Sequence, residues 1–397
     1  MPSSTSPSKP MIHEGALPAG LRLTASDRPG QAQPVPTRDI PDRPWGAIFL
    51  VAAIAVLLLM AGWEMAMRAQ GLRPGDVDDS IARWAEQRTK AGGSDKVVLV
   101  SDSRLMFDTD LDRFAALTGK EPVQLGVVGS SALVLLQDLA KDPAVNGLVL
   151  VGMADTNYFG SPGFAGLYLK EPEKTRLPSQ RTRLWLGDAL ENLSAFPSKD
   201  YRLSALVHRL DRRQRAGTGG PYQDVWKIST EDQRREYVLW DRIETDPFLR
   251  AHAIHVWGDF KEEPGDKPFD VPKTLKETAT AVAAIRARGG DVIFIRPPSD
   301  PRLRANEERR IPKAKGWDAI LATTGSKGIH VDEFGPQPWV LPELSHLSGA
   351  CATVFTDLYV RKAATLTDRI AVMADAPPAL SVADCATVGP GAPARGI

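Results

Sequence analysis

Two short stretches hold the residue types that acyl transfer requires. Residues 97–104, VVLVSDSR, form an apolar β-branched run that ends abruptly in small polar residues. That pattern predicts a buried strand delivering Ser103 into a strand-to-helix turn. Residues 342–349, PELSHLSG, supply Glu343 and, three positions on, His346. A serine hydroxyl becomes a nucleophile when a base takes its proton, an imidazole is such a base, and a carboxylate orients the imidazole. A serine between a strand's carboxyl end and a helix's amino end also sits where doubly wound folds hold ligands. Helix amides are there to stabilise a developing oxyanion. Taken singly, each residue has a plainer reading, Ser103 as a helix cap and His346 as a hydrogen-bonded residue of a helix start. Their order and placement make them candidates.

The elements that must position these residues follow from periodicity. Strands are expected at 97–100, 123–127, 148–152, 292–296 and 329–334. Helices are expected at 105–117, 132–140, 274–288, 306–323 and from about 346 to 373. Strands alternating with helices argue for an α/β domain with a mostly parallel sheet covered on both faces. The rhythm lapses between residues 157 and 271, a stretch with Trp185, Trp226, Trp240 and Trp257 and much Gly/Pro punctuation. It reads as a cap inserted at about 158–271.

Ahead of the domain, residues 44–63 read PWGAIFLVAAIAVLLLMAGW, unbroken apolar sequence of bilayer-spanning length with a tryptophan near each end. The polar tail before it is too long, and the run itself too long, for a cleaved signal peptide. The expected organisation is a disordered tail over 1–43, poor in periodic apolar residues, and a transmembrane helix over 44–67. A connector follows over 68–94, in which Val77, Ile81 and Trp84 form a weakly amphipathic helix. The α/β domain then covers 95–373, and a flexible tail 374–397. Basic residues tie across the span: Arg28, Arg38 and Arg43 before it, Arg68, Arg73 and Arg83 after it. Charge therefore does not set the orientation.

The chain has 397 residues, 25% of them charged, and zero formal net charge. That balance gives no sign of a nucleic-acid partner. The two cysteines, Cys351 and Cys385, lack metal-site spacing. They are either two thiols or, in an oxidising compartment, one bridge.

The blocks SDSR (101–104), LGVVGSSA (125–132), LVLVGMAD (148–155) and PELSHLSG resemble those of SGNH/GDSL-type hydrolases. They are similar in particular to the membrane-anchored SGNH-like proteins that work beside integral-membrane acyltransferases in wall D-alanylation and polysaccharide O-acetylation. The resemblance covers about 95–157 and 290–373 and not the cap. It implies a flavodoxin-like three-layer α/β/α fold with no cofactor. Ser103 would be the nucleophile, with its own N–H as one oxyanion donor and that of Gly129 as the second. His346 would be the base, and Glu343 would take the place of the family's usual aspartate. It also implies a single-pass inner-membrane protein with a cytoplasmic N-terminus and a periplasmic or extracellular domain. The expected partners are a glycan substrate and an integral-membrane acyltransferase or glycan-export machine.

Departures from the family pattern are specific. Ser101 replaces the first block's leading glycine and Arg104 its leucine. Ala154 stands where the third block's asparagine belongs, and loss of such a donor typically costs about 100- to 1000-fold in turnover. Asp155 or Asn157 could reach the site instead, and Asp332 rivals Glu343 as the orienting acid. Asp102, Arg104, Asp155, Asn157 and Arg296 are the expected pocket residues, with Arg104 paired to a substrate anion or to Asp102 or Asp108. His252 and His255, three apart, are more readily structural than metal ligands. The basic run 209–215 reads as a solvated face or a lipid-headgroup contact. Two functions follow: a serine esterase or O-acyltransferase acting on a cell-surface glycan, or a catalytically degenerate scaffold serving a membrane acyltransferase.

Overall fold

The computed structural model describes residues 21–22, 35–36, 43–170, 177–210, 227–259 and 268–386. In the N-terminal tail it describes β1 (Leu21–Arg22) and β2 (Val35–Pro36), a two-residue antiparallel pair. The chain divides into one unit ending at Gly62 and a second from Trp63 onward. The boundary falls within the helix Trp45–Ala69, whose mean hydropathy reaches 2.5 over an apolar stretch that is nowhere buried. This helix is long and apolar enough to cross a membrane, which fits a single-pass anchor.

The second unit is α/β. Its sheet comprises β3 (Val97–Val100), β4 (Val123–Gln124) and β5 (Leu148–Gly152). A small antiparallel hairpin follows, β6 (Ser229–Glu231) with β7 (Tyr237–Leu239). The sheet then resumes with β8 (Asp291–Arg296) and β9 (Lys327–His330). Its order is β4-β3-β5-β8-β9, and all four pairings are parallel. Successive side chains of a strand point to opposite faces, so the apolar residues of β3, β5 and β8 fall into two sets. Val98, Val100, Val149, Val151, Val292 and Phe294 pack with the helices Ala132–Lys141, Val271–Arg286 and Trp317–Thr324. Val97, Leu99, Leu148, Leu150, Ile293 and Ile295 pack with the helices Leu111–Thr118 and Gly349–Ala364. Because β4 lies on one side of β3 and β5 on the other, the switch in winding direction falls between the carboxyl ends of β3 and β5, where doubly wound sheets form crevices.

Several expected elements are shorter or divided. The helix expected over 105–117 is two helices, Ser103–Phe107 and Leu111–Thr118. Asp108 ends the first, and Asp110 caps the second by accepting the Arg113 N–H at 2.8 Å. The helix expected over 306–323 is Pro301–Arg310 and Trp317–Thr324, separated at Pro312, whose missing N–H and ring disfavour helix interior. Strand 329–334 ends at His330 and turns into a 3₁₀ turn, Val331–Phe334, and strand 123–127 ends at Gln124. The last helix begins at Gly349, so His346 lies in the preceding loop. The connector helix, Ile81–Arg88, does not stand apart: Trp84 is buried in the sheet's core and donates its indole N–H to Leu125 O at 3.0 Å. Of the tail expected to be loose from 374, residues 374–386 are among those described. Val382 and Cys385 are buried there, and Cys385 is disulfide-bonded to Cys351. Residues 1–20, 23–34 and 37–42, most of the basic run 209–215, and Trp226 lie outside the described residues.

Candidate active site at the carboxyl edge of the sheet

β3 delivers the chain to the sheet edge at Ser101, and Asp102 then caps the helix that opens with Ser103, accepting the Arg104 N–H at 3.1 Å. Ser103 is 6% exposed. Two glycines allow this turn to pack tightly. A Cβ on Gly152 would sit 2.6 Å from Ser101 Cβ, and one on Gly126 would overlap Met106 and the Ser101 hydroxyl. Gly129, in the turn after β4, has φ +62°, a left-handed conformation that glycine adopts without strain.

The Ser103 helix backs directly onto the loop that carries His346. At its far end Phe107 stacks on the His346 ring, centroids 4.1 Å apart, and Asp108 Oδ1 accepts the Leu347 N–H at 2.9 Å. Glu343 Oε1 lies 2.8 Å from His346 Nδ1 and accepts the His346 backbone N–H at 2.6 Å. The serine-bearing and histidine-bearing stretches, 240 residues apart in sequence, are thus brought to one edge, and the acid three before the histidine engages its ring. His346 is 0% exposed, as Phe107 covers it and the hairpin's Tyr237 packs on Phe107 at 5.3 Å. Asp332 does not take this role. It is exposed within the 3₁₀ turn, where Arg304 and His330 hold its carboxyl below the usual range despite partial burial. Burial and the neighbouring Arg296, Lys313 and Arg304 push His330 itself down to about 4, against the pull of Asp332.

The Arg104 side chain pairs with neither Asp102 nor Asp108. Its partner is Glu307, on the helix Pro301–Arg310, which also accepts from Arg296 at 2.6 Å. Arg296 reaches on to Asp155 at 2.9 Å. Although burial pushes Glu307 up, the two guanidiniums hold it below its ordinary value. Asn157 donates its amide to Asp102 Oδ2 at 2.8 Å, and Asp155 is held by Arg296. Both are therefore committed to carboxylate and guanidinium partners. Burial raises Asp102 despite Arg104, Asn157 and His346 beside it. Burial raises Asp108 much further, and the nearby Glu343 and Asp102 carboxylates add to that. Asp108 Oδ2, Glu343 Oε2 and Arg104 Nη1 are buried with no hydrogen-bond partner.

Glu307 and Phe107 carry much of this arrangement and had no site signal of their own. Glu307 belongs to a helix that is otherwise charged and exposed, PRLRANEERR. The usable clue was indirect: Arg296 ends a buried strand, Arg104 lies in the helix just after another, and each buried guanidinium needs a carboxylate. His252 and His255 lie on the helix Pro247–Asp259, and among the described residues no three His, Cys, Asp or Glu side chains gather as a metal site. No protein-family model matches the chain, and no curated protein matches its sequence.

Proposed function

We propose that the chain is a membrane-anchored, exported serine esterase or O-acyltransferase of SGNH-like type, acting on a cell-surface glycan. The observation that carries this reading is the Glu343–His346 pair, buried and 2.8 Å apart, seated against the helix that Ser103 opens at the sheet's switch point. The strand order, equivalent to 2-1-3-4-5, is that of flavodoxin-like folds and supports the family resemblance. The Cys351–Cys385 disulfide supports an oxidising compartment for the domain and hence a cytoplasmic N-terminus.

In this mechanism Ser103 Oγ attacks the acyl carbonyl while His346 takes its proton. Glu343 stabilises the resulting imidazolium, and the N–H groups of Ser103 and Gly129 receive the oxyanion. The tetrahedral intermediate collapses, the alcohol leaves with the proton from His346, and an acyl-Ser103 ester remains. A sugar hydroxyl or water, deprotonated by His346, then attacks that ester and restores the serine. An integral-membrane acyltransferase would supply the acyl group in the transfer variant. The test is hydrolysis of a chromogenic acetyl ester by the full chain in detergent. Ser103→Ala and His346→Ala are each expected to lower turnover by roughly a thousandfold or more.

The complete burial of His346 beneath Phe107, together with Ala154 in the third block, favours a second reading. In it the same fold has lost catalysis and serves as a scaffold for a membrane acyltransferase or glycan-export complex. Equal, background-level turnover by wild type and Ser103→Ala would support it.

A further inference from the structure

The helix Pro178–Leu193 is amphipathic the wrong way round for a soluble domain. Its acidic residues face the protein: Asp188 pairs with the buried Arg83, and Glu191 Oε2 accepts the Asp78 N–H at 3.1 Å. Its apolar residues face outward. Trp185 is 68% exposed and Leu193 77%, with Leu186 and Leu190 exposed on the same stripe. No residue of the helix is buried. Helices of soluble domains put that stripe on the core. The next helix, Leu203–Leu210, repeats the arrangement with Leu203 and Val207 exposed four residues apart.

The position of this surface identifies what covers it. Just beyond the first helix's end, the backbone N–H groups of Ala195 and Phe196 both donate to Glu64, at 2.9–3.0 Å. Glu64 is the first charged residue after the apolar run that ends at Trp63. Two residues of chain reach at most about 7 Å, so Leu193 lies within that distance of a segment gripping the membrane end of the anchor. With Trp45–Ala69 as a membrane anchor, lipid headgroups lie at that level. Arg181 and Arg183, exposed in the helix's first turns, suit their phosphates, and Trp185 suits the interface.

We propose that the outward stripe Trp185–Leu186–Leu190–Leu193, with Leu203 and Val207, lies on the bilayer surface. The proposal rests on Trp45–Ala69 being a membrane anchor, and a separate readout tests that. Both cysteines are disulfide-bonded, so an introduced thiol is labelled alone. The full chain bearing an environment-sensitive fluorophore at Leu190→Cys is placed in phospholipid nanodiscs, with Thr280→Cys on the helix Val271–Arg286 as control. Blue-shifted emission, quenched by nitroxide-bearing phospholipid at 190 and not at 280, is expected. Adding Leu186→Glu and Leu193→Glu is expected to abolish the quenching at 190 and leave 280 unchanged. Water-like, unquenched emission at 190 would overturn the proposal. So would shielding found only in native membranes, which would assign the stripe to a protein partner. Release of the chain by alkaline carbonate would overturn the anchor and the proposal together; retention with no quenching at 190 would overturn the stripe alone.

Discussion

At the residue scale, the sheet edge concentrates ionisable groups that are expensive to bury, and their mutual pairing explains their arrangement. Glu307 is the keystone between Arg104 and Arg296. Removing it strands the buried Arg104 guanidinium and leaves Arg296 to Asp155 alone, so Glu307→Ala is expected to cost on the order of 3–5 kcal/mol, read by chemical denaturation. Asp108 has the opposite character. Burial and neighbouring carboxylates raise it far above an unfolded aspartate. In the window between its unfolded and folded values the folded state holds the extra proton, so stability falls as pH rises through that window. Asp108→Asn keeps an oxygen for the Leu347 N–H and removes the titration. It is expected to flatten the decline in melting temperature between acid and neutral pH, with the largest gain over wild type at the upper end. An unchanged pH slope would show that Asp108 is not the group responsible. The candidate residue types were legible in sequence because Ser103 follows an apolar strand and an acid stands three residues ahead of a histidine late in the chain. Arg104's partner was not, because an acid in a charged surface-like helix carries no mark of facing inward.

At the element scale, β3, β5 and β8 were readable because strands buried on both faces are continuous apolar runs bounded by polar turns. The helix divisions were less so. Asp108–Thr109–Asp110 interrupts what apolar spacing alone presents as one helix, and the interruption lets Asp108 end one helix while Asp110 starts the next. Proline marked the other break, at Pro312, and was outweighed by the apolar periodicity around it. The carboxyl-terminal segment looked loose from its Ala, Pro and Gly content, yet the Cys351–Cys385 disulfide fastens it to the Gly349–Ala364 helix across a separation of 34 residues. Closing a loop of that size is expected to contribute about 4 kcal/mol in the chain-entropy view. Cys351→Ser with Cys385→Ser, or reduction of wild type, should therefore lower the denaturation midpoint clearly. An unchanged midpoint would mean the segment is held by its apolar contacts alone.

At the scale of the whole molecule, the proposed surface enzyme would join an apolar helix to an α/β domain with a parallel sheet and a residue set suited to acyl transfer. The anchor and the fold class follow from patterns that local chemistry dictates. The closure over His346 does not, since Phe107 and Tyr237 come from segments 130 residues apart and only the folded hairpin brings them together. The central claim is that Ser103 is a nucleophile activated by His346. The most direct measurement is labelling of the full chain in membranes with a fluorophosphonate probe, followed by peptide mapping. Wild type is expected to carry the probe on Ser103, with labelling lost in Ser103→Ala and slowed in Glu343→Gln. Equal labelling of wild type and Ser103→Ala, or none on folded wild type, would contradict the claim.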